Sequence, residues 1–185
     1  MSEPDAAPSA AARGGSMSAK SLVIVYSYHH GNTARVARVI ADALGAEVKT
    51  PSDVRPEELR EYELVGFGSG IDSGRHYKPL LDLADSLPHA DASPLAAGRR
   101  AFIFSTCGAP ASIFGKSFIT NYAGESHAAL RKKLMTRGYT VAGEFNCPGF
   151  NTNMFLKYFG GLNKGRPNAE DLELAAAFAR KLLVS

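Results

Sequence analysis

Three short apolar runs constrain this chain more than any other feature. SLVIVY at 21–26, ELVGFG at 63–68 and RAFIFST at 100–106 are nearly continuous in hydrophobic residues. A strand with one wet face alternates apolar and polar. A run without alternation fits a strand buried on both faces, as in parallel sheets covered by helices. Shorter runs at 47–49 and 139–145 read as a second and a fifth strand.

Helical periodicity fills the gaps. At 33–44, Val36, Ala37, Ile40, Ala43 and Leu44 fall on one stripe, and Gly45 suits the left-handed residue that ends a helix. A short helix is predicted at 79–87, with Pro79 in its first turn. At 125–136, Ala129, Leu130 and Leu134 oppose Arg131, Lys132 and Lys133. At 168–183, Asn168 is a fitting N-cap ahead of Glu170 and Asp171. Strands alternating with helices predict right-handed crossovers and a parallel sheet. For a chain of 185 residues, the expected architecture is an α/β three-layer, doubly wound sandwich with a five-stranded parallel sheet. Residues 20–185 read as one domain. Residues 1–19, rich in Ala, Pro, Ser and Gly without an apolar block, read as a disordered leader, with Met17 a second possible start.

The composition, 45% hydrophobic and 21% charged, is that of a soluble globular protein. No apolar run approaches the roughly 20 residues that span a bilayer, so a cytoplasmic location without a transmembrane segment is expected. The net charge of +3 is scattered, with no aromatic–basic motif, so no nucleic-acid partner is expected. Cys107 and Cys147, the only cysteines, exclude a disulfide scaffold and a zinc ribbon, and no metal site is expected.

Ligands of doubly wound sheets sit outside the carboxyl ends of the strands. Three segments qualify, at 27–33, 69–77 and 106–117, with 146–166 placed to close over them. The first lies in YSYHHGNT, 26–33. A helix starting there points free N–H groups and its positive end at the turn. No Asp or Glu occurs from Lys20 through Ala41, and Gly31 lets a ligand approach the backbone. A phosphate site and a plain turn capped by Asn32 or Thr33 both fit these residues. In the second segment, Gly68, Gly70 and Gly74 allow a tight path against a flat ligand. Read as a dinucleotide fingerprint it fails, because Ser73 stands where the third glycine belongs. PASIFGKS, 110–117, ends like a P-loop but has Pro110 at the required first glycine.

YSYHHGNT followed by an amphipathic helix resembles the phosphate loop of the flavodoxin family, roughly Ser/Thr-x-Thr-Gly-Asn-Thr. ELVGFGSGIDSG and RRAFIFSTCG sit where that family's two isoalloxazine-facing loops arise. FGGLNKGRPNAEDL is similar to an uncharacterised flavodoxin-like subgroup, and the likeness runs from Lys20 to the C-terminus. The resemblance implies strand order 2-1-3-4-5 and an FMN cofactor. It would be held by Tyr28, His29, His30, Gly31, Asn32 and Thr33, by Ser69, Gly70, Ile71 and Asp72, and by Thr106, Cys107 and Gly108. Tyr28 and His30 stand where the family presents hydroxyls. His29 and His30, most of all His30, are therefore expected to donate imidazole hydrogen bonds instead. Without any tryptophan, stacking would fall to Tyr28, His76 or Tyr77. Asp72 is the carboxylate placed to tune the cofactor. No side chain reads as a dedicated acid or base beyond weak candidates in His76 and Tyr77.

The implied function is electron transfer, or a small flavin oxidoreductase with a quinone-type or protein acceptor. The basic charge departs from the acidic electron carriers of the family. Two alternatives stay open: an interaction module on the same fold that binds no FMN, and a protoporphyrinogen-oxidising flavodoxin-like enzyme, whose third-strand loop is similar in kind to GIDSGRHYKPL. Cys107 and Cys147 fall at the same end of neighbouring strands. Strands lie about 4.8 Å apart and disulfides need Cα spacings of about 4.4–6.8 Å. A redox-active pair is therefore weighed against two ordinary thiols. The apolar 145–159 segment, with Phe145, Phe150, Met154, Phe155, Tyr158 and Phe159, suggests a lid or a homodimer patch.

Overall fold

The computed structural model describes residues 20–89, 98–108 and 111–184. The leader at 1–19 lies outside the described residues, as do Ala109 and Pro110 of the third candidate loop. In chain order the elements are β1 (Ser21–Tyr26), α1 (Asn32–Leu44), β2 (Glu47–Lys49), β3 (Leu64–Asp72), β4 (Arg75–His76), α2 (Lys78–Ser86), β5 (Arg100–Cys107), α3 (Ala111–Thr136), β6 (Thr140–Pro148) and α4 (Ala169–Leu182). The sheet order is β2-β1-β3-β5-β6, all parallel, with β4 folded back antiparallel on β3. Apart from that two-residue hairpin strand, this is the expected five-stranded, doubly wound α/β sandwich. Among the described residues no helix is long and apolar enough to cross a membrane.

The unbroken apolar runs follow from this layering. Leu22 and Ile24 of β1 enter one core with Val65, Phe67 and Ile103, under Leu80 and Leu83 of α2 and Leu130 and Leu134 of α3. Val23 and Val25 enter the other with Phe102 and Phe104, under Val36 and Ile40 of α1 and Ala175 and Ala179 of α4. Successive strand residues point to opposite faces, and both faces are dry, so the central positions of each run are apolar. Helix ends follow the local chemistry. Gly45 ends α1 at φ 63. Asn168 and Asp171 cap α4 reciprocally, Asp171 N–H donating to Asn168 Oδ1 at 3.0 Å and Asn168 N–H to Asp171 Oδ2 at 2.8 Å.

Two boundaries differ from the sequence reading, and both bear on the site. β3 runs on to Asp72, so the first half of the second candidate loop is strand. The loop proper is the turn at Ser73 (φ 52) and Gly74 (φ 76). α3 starts at Ala111, fourteen residues before the periodic stretch at 125, so residues 111–117 of the third candidate loop are helical.

Gly68 also has a different role from the one expected. A Cβ there would lie 2.1 Å from the Phe104 ring, and one on Gly66 would lie 2.2 Å from Phe102. These glycines clear space for two phenylalanines of the neighbouring strand, not for a ligand. Gly68→Ala should therefore destabilise by about 1–3 kcal/mol through overpacking. Pairing it with Phe104→Leu should recover part of that loss. Urea unfolding of the two single variants and the double variant checks this, and strictly additive losses would contradict it.

Candidate functional site

The chain leaves β1, crosses to β2 on one side and to β3 on the other, so a crevice opens at the carboxyl ends of β1 and β3. Residues 27–31 enter it. His30 (φ 54) and Gly31 (φ 66) are both left-handed, and this double turn drives the backbone directly into α1. Gly31 is the N-cap. No side chain caps the helix, and its first turn carries no acid. The first N–H groups of α1, and the positive end of its dipole, thus face the crevice without a protein counter-charge.

Neither Asn32 nor Thr33 caps this helix. Both are buried and reach sideways: Asn32 Nδ2 donates to the Phe150 carbonyl at 2.8 Å, and Thr33 Oγ1 bonds Thr106 Oγ1 at 2.7 Å. They stitch the start of α1 to the segments after β5 and β6. The segment expected to close over the site does so. Gly149 N–H donates to Cys107 O at 2.8 Å, and Asn151 and Leu162 exchange two backbone hydrogen bonds. Residues 149–162 form a strap seated so tightly that a Cβ on Gly108 would lie 2.3 Å from the Asn151 side chain. Within it, Tyr158 and Phe159 are exposed, whereas Phe145, before it, turns away to pack on Phe178 of α4 with ring centroids 5.6 Å apart.

The crevice brings most of the predicted residues together. Tyr28, His29, Asn32 and Thr33 line it from the first loop, Gly70 and Ile71 from β3, and Thr106, Cys107 and Gly108 from the end of β5. It is open to solvent on one side and offers water-sized groups about 50 Å³. At roughly 10–15 Å³ per water, that is room for a few waters or one tetrahedral anion. Anything larger must extend past the mouth, where Tyr28 is 69% exposed and lies 6.4 Å from the Tyr77 ring.

Four predicted residues are placed elsewhere. His30, the favoured hydroxyl substitute, turns out of the crevice. Its Nε2 bonds Thr152 Oγ1 at 2.7 Å and its ring lies 4.7 Å from Phe150, so it fastens the strap. Gly31 supplies the turn behind. Ser69 is buried on the opposite face of the sheet from Gly70. Asp72 is exposed on the hairpin, opposite Arg75. Sequence reasoning missed Ser27. Its hydroxyl lies in the crevice wall, buried and without a hydrogen-bond partner among the described residues. A buried hydroxyl of this kind carries a desolvation cost that a ligand acceptor would relieve.

On the other face lies a polar cluster. His127 Nε2 meets Ser105 Oγ at 2.8 Å, and His127 Nδ1 meets Glu144 Oε2 at 3.0 Å. Arg131 Nη2 donates to the same carboxylate oxygen at 2.9 Å. Burial pushes the Glu144 carboxyl up, but the hydrogen bonds from His127 and Arg131 outweigh it and bring the group down to about 2. His76, offered above as a stacking residue, belongs here. It is buried, with its ring 5.0 Å from that of His127. Burial, and secondarily the neighbouring His127, push it down to about 3.

The cysteines do not pair. Thr106, not Cys107, is the register partner of Cys147. Cys147 therefore faces the α1–α4 core, while Cys107 faces the α3 side and receives a contact from Asn146 Nδ2 at 3.6 Å. Both are buried thiols with no disulfide between them, and burial pushes the Cys147 thiol far up.

No family model matches the chain. An uncharacterised protein of Methanocaldococcus jannaschii is 39% identical over 164 residues, covering 89% of this chain and 98% of that protein. Among solved structures, oxidised flavodoxin 2 from Bacillus cereus superposes with a TM-score of 0.60 at 17% identity, over 90% of this chain and 98% of that one. A flavodoxin, WrbA-like protein from Agrobacterium tumefaciens gives 0.57 at 15%, over 89% and 96%.

Two solution properties follow from this geometry. Thiol reagents should label neither cysteine in the native protein and both after denaturation; rapid native labelling would contradict the burial. Acid should destabilise the ligand-free protein in two stages. His76 is neutral when folded but protonates when unfolded, so stability falls as pH drops below about 6.5. Glu144 holds its charge more tightly when folded, so a second loss begins below about 4.5. Between pH 7 and 5 the His76 contribution should reach about 1–2 kcal/mol. His76→Asn should flatten that part of the urea-stability curve, and parallel curves would contradict the assignment.

Proposed function

Because this chain belongs to a flavodoxin-like family together with the Methanocaldococcus jannaschii protein, we propose that its crevice holds FMN by the phosphate and that the protein carries electrons to a protein or quinone-type acceptor. The observation that carries this reading is the uncapped start of α1 opening beside the orphaned Ser27 hydroxyl, in a crevice sized for one tetrahedral anion. A dianion there would accept from the Ser27 hydroxyl and from the first N–H groups of α1, and would meet no carboxylate. His29 lies at the wall as a further donor, and Tyr28 and Tyr77 offer aromatic surface at the mouth. The residues present thus fit the group. When bound, FMN would supply the one- or two-electron chemistry, which is the cofactor's own. The chain's part is to bind it, orient it and exclude water. The strap over Gly108 and the α1 start does the last of these.

Flavin fluorescence should be quenched on titrating FMN into the purified protein, and a protein that leaves it unquenched would overturn the proposal. Ser27→Ala removes a hydrogen bond to a charged group, about 1.5–3 kcal/mol, so affinity should fall roughly 10- to 100-fold. His30→Ala and Thr152→Val should weaken binding by similar, smaller amounts, because both loosen the strap. A loss for His30→Ala far beyond that for Thr152→Val would place His30 on the phosphate instead.

A further inference from the structure

The buried cluster on the α2–α3 side of the sheet takes no part in holding a phosphate, yet it touches the crevice wall through one hydroxyl. Ser69 Oγ donates to the Gly70 carbonyl at 2.7 Å, receives the Tyr77 N–H at 3.1 Å and lies 2.8 Å from His76 Nδ1. Gly70 and Tyr77 both line the crevice. A serine has one hydrogen to give. Where Ser69 gives it to Gly70, the hydrogen between Ser69 and His76 belongs to His76 Nδ1. The neutral ring then carries a bare lone pair on Nε2, and that atom is buried without a partner among the described residues. It is a proton acceptor with nothing to accept from.

The surroundings explain why it stays bare. From α3, His127 faces the ring at 5.0 Å. The Glu144 carboxylate on β6 can only accept, so His127 Nδ1 carries a hydrogen toward it. Glu144 is already matched by Arg131 of α3. From β5, Ser105 brings no charge; where its hydroxyl donates to Asn146 Oδ1 at 2.8 Å, it can only receive from His127 Nε2. On its own hairpin, Asp72 and Arg75 stand opposite each other at the surface. His76 therefore has no negative charge free to hold a proton, and burial keeps it neutral.

We infer that His76 is the proton acceptor that answers new negative charge in the crevice, taking up one proton from water on Nε2 when a bound flavin is reduced. The inference rests on the FMN reading above. Two electrons pass from the reductant, dithionite in the test, to the flavin, which itself takes one proton. A further proton leaves water for His76, and the Nε2–H bond is the only one formed on the protein.

The experiment uses the FMN-loaded full chain with ¹³C,¹⁵N-labelled histidine. The ring signals of His76 are followed by NMR across about pH 5.5–8.5, oxidised and then reduced with dithionite. The oxidised protein should show a neutral His76 throughout, and the reduced protein an imidazolium that titrates within the range. The midpoint potential of the wild type should include one more proton per two electrons than that of His76→Asn, a difference in slope of about 30 mV per pH unit. A His76 ring that stays neutral after reduction, or equal slopes, overturns the inference. If His76→Asn does not fold, the wild-type NMR titration alone decides. Unquenched flavin sinks the functional reading and this inference together, whereas bound, reduced flavin with a neutral His76 sinks this inference alone.

Discussion

Burial of the sheet on both faces is the constraint from which the other features descend. It makes the central positions of β1, β3 and β5 apolar on both faces, and it makes the space between neighbouring strands scarce enough that Gly66 and Gly68 must yield to Phe102 and Phe104. The two cores end at one level. In register, Ser69 stands beside Ser105 and Gly70 beside Thr106, so a polar layer begins on both faces at the same height.

Strand parity then divides the molecule. Odd-numbered positions of β5 look toward α3, and even-numbered ones toward α1 and α4. Thr106 accordingly joins the start of α1, while Ser105 joins His127. The same parity keeps the two thiols apart although their strands are neighbours. The crevice side and a histidine side arise back to back, separated by the thickness of one sheet and connected through Ser69.

The fold was legible in the sequence because it is written in patterns that act locally: unbroken apolar runs, Gly45 after a helical stripe, Asn168 before two acids. The start of α3 was not, because ASIFGKSFITNYAG mixes polar and apolar residues without a stripe. YSYHHGNT was legible as the turn that enters the crevice, but not which of its side chains would line it. That depends on His30 adopting a left-handed backbone, a choice no neighbouring residue announces. Ser27 stood in plain view, yet its meaning lies in a missing partner, which only three dimensions reveal. The contact between His127 and Glu144 spans a helix and the following strand, seventeen residues apart in sequence, where no spacing rule reaches.

The strap gives the crevice a temporal character. It is held to the start of α1 by a few polar contacts, Asn32 to the Phe150 carbonyl and His30 to Thr152, the latter at the surface where water competes. On the proposed function, a flavin phosphate beneath it would leave only when those contacts part. How long a molecule stays is then set by the opening of this segment, and can change independently of how tightly the crevice grips it. Two relatives with identical crevices and different straps would hold the same molecule equally well and exchange it on different clocks.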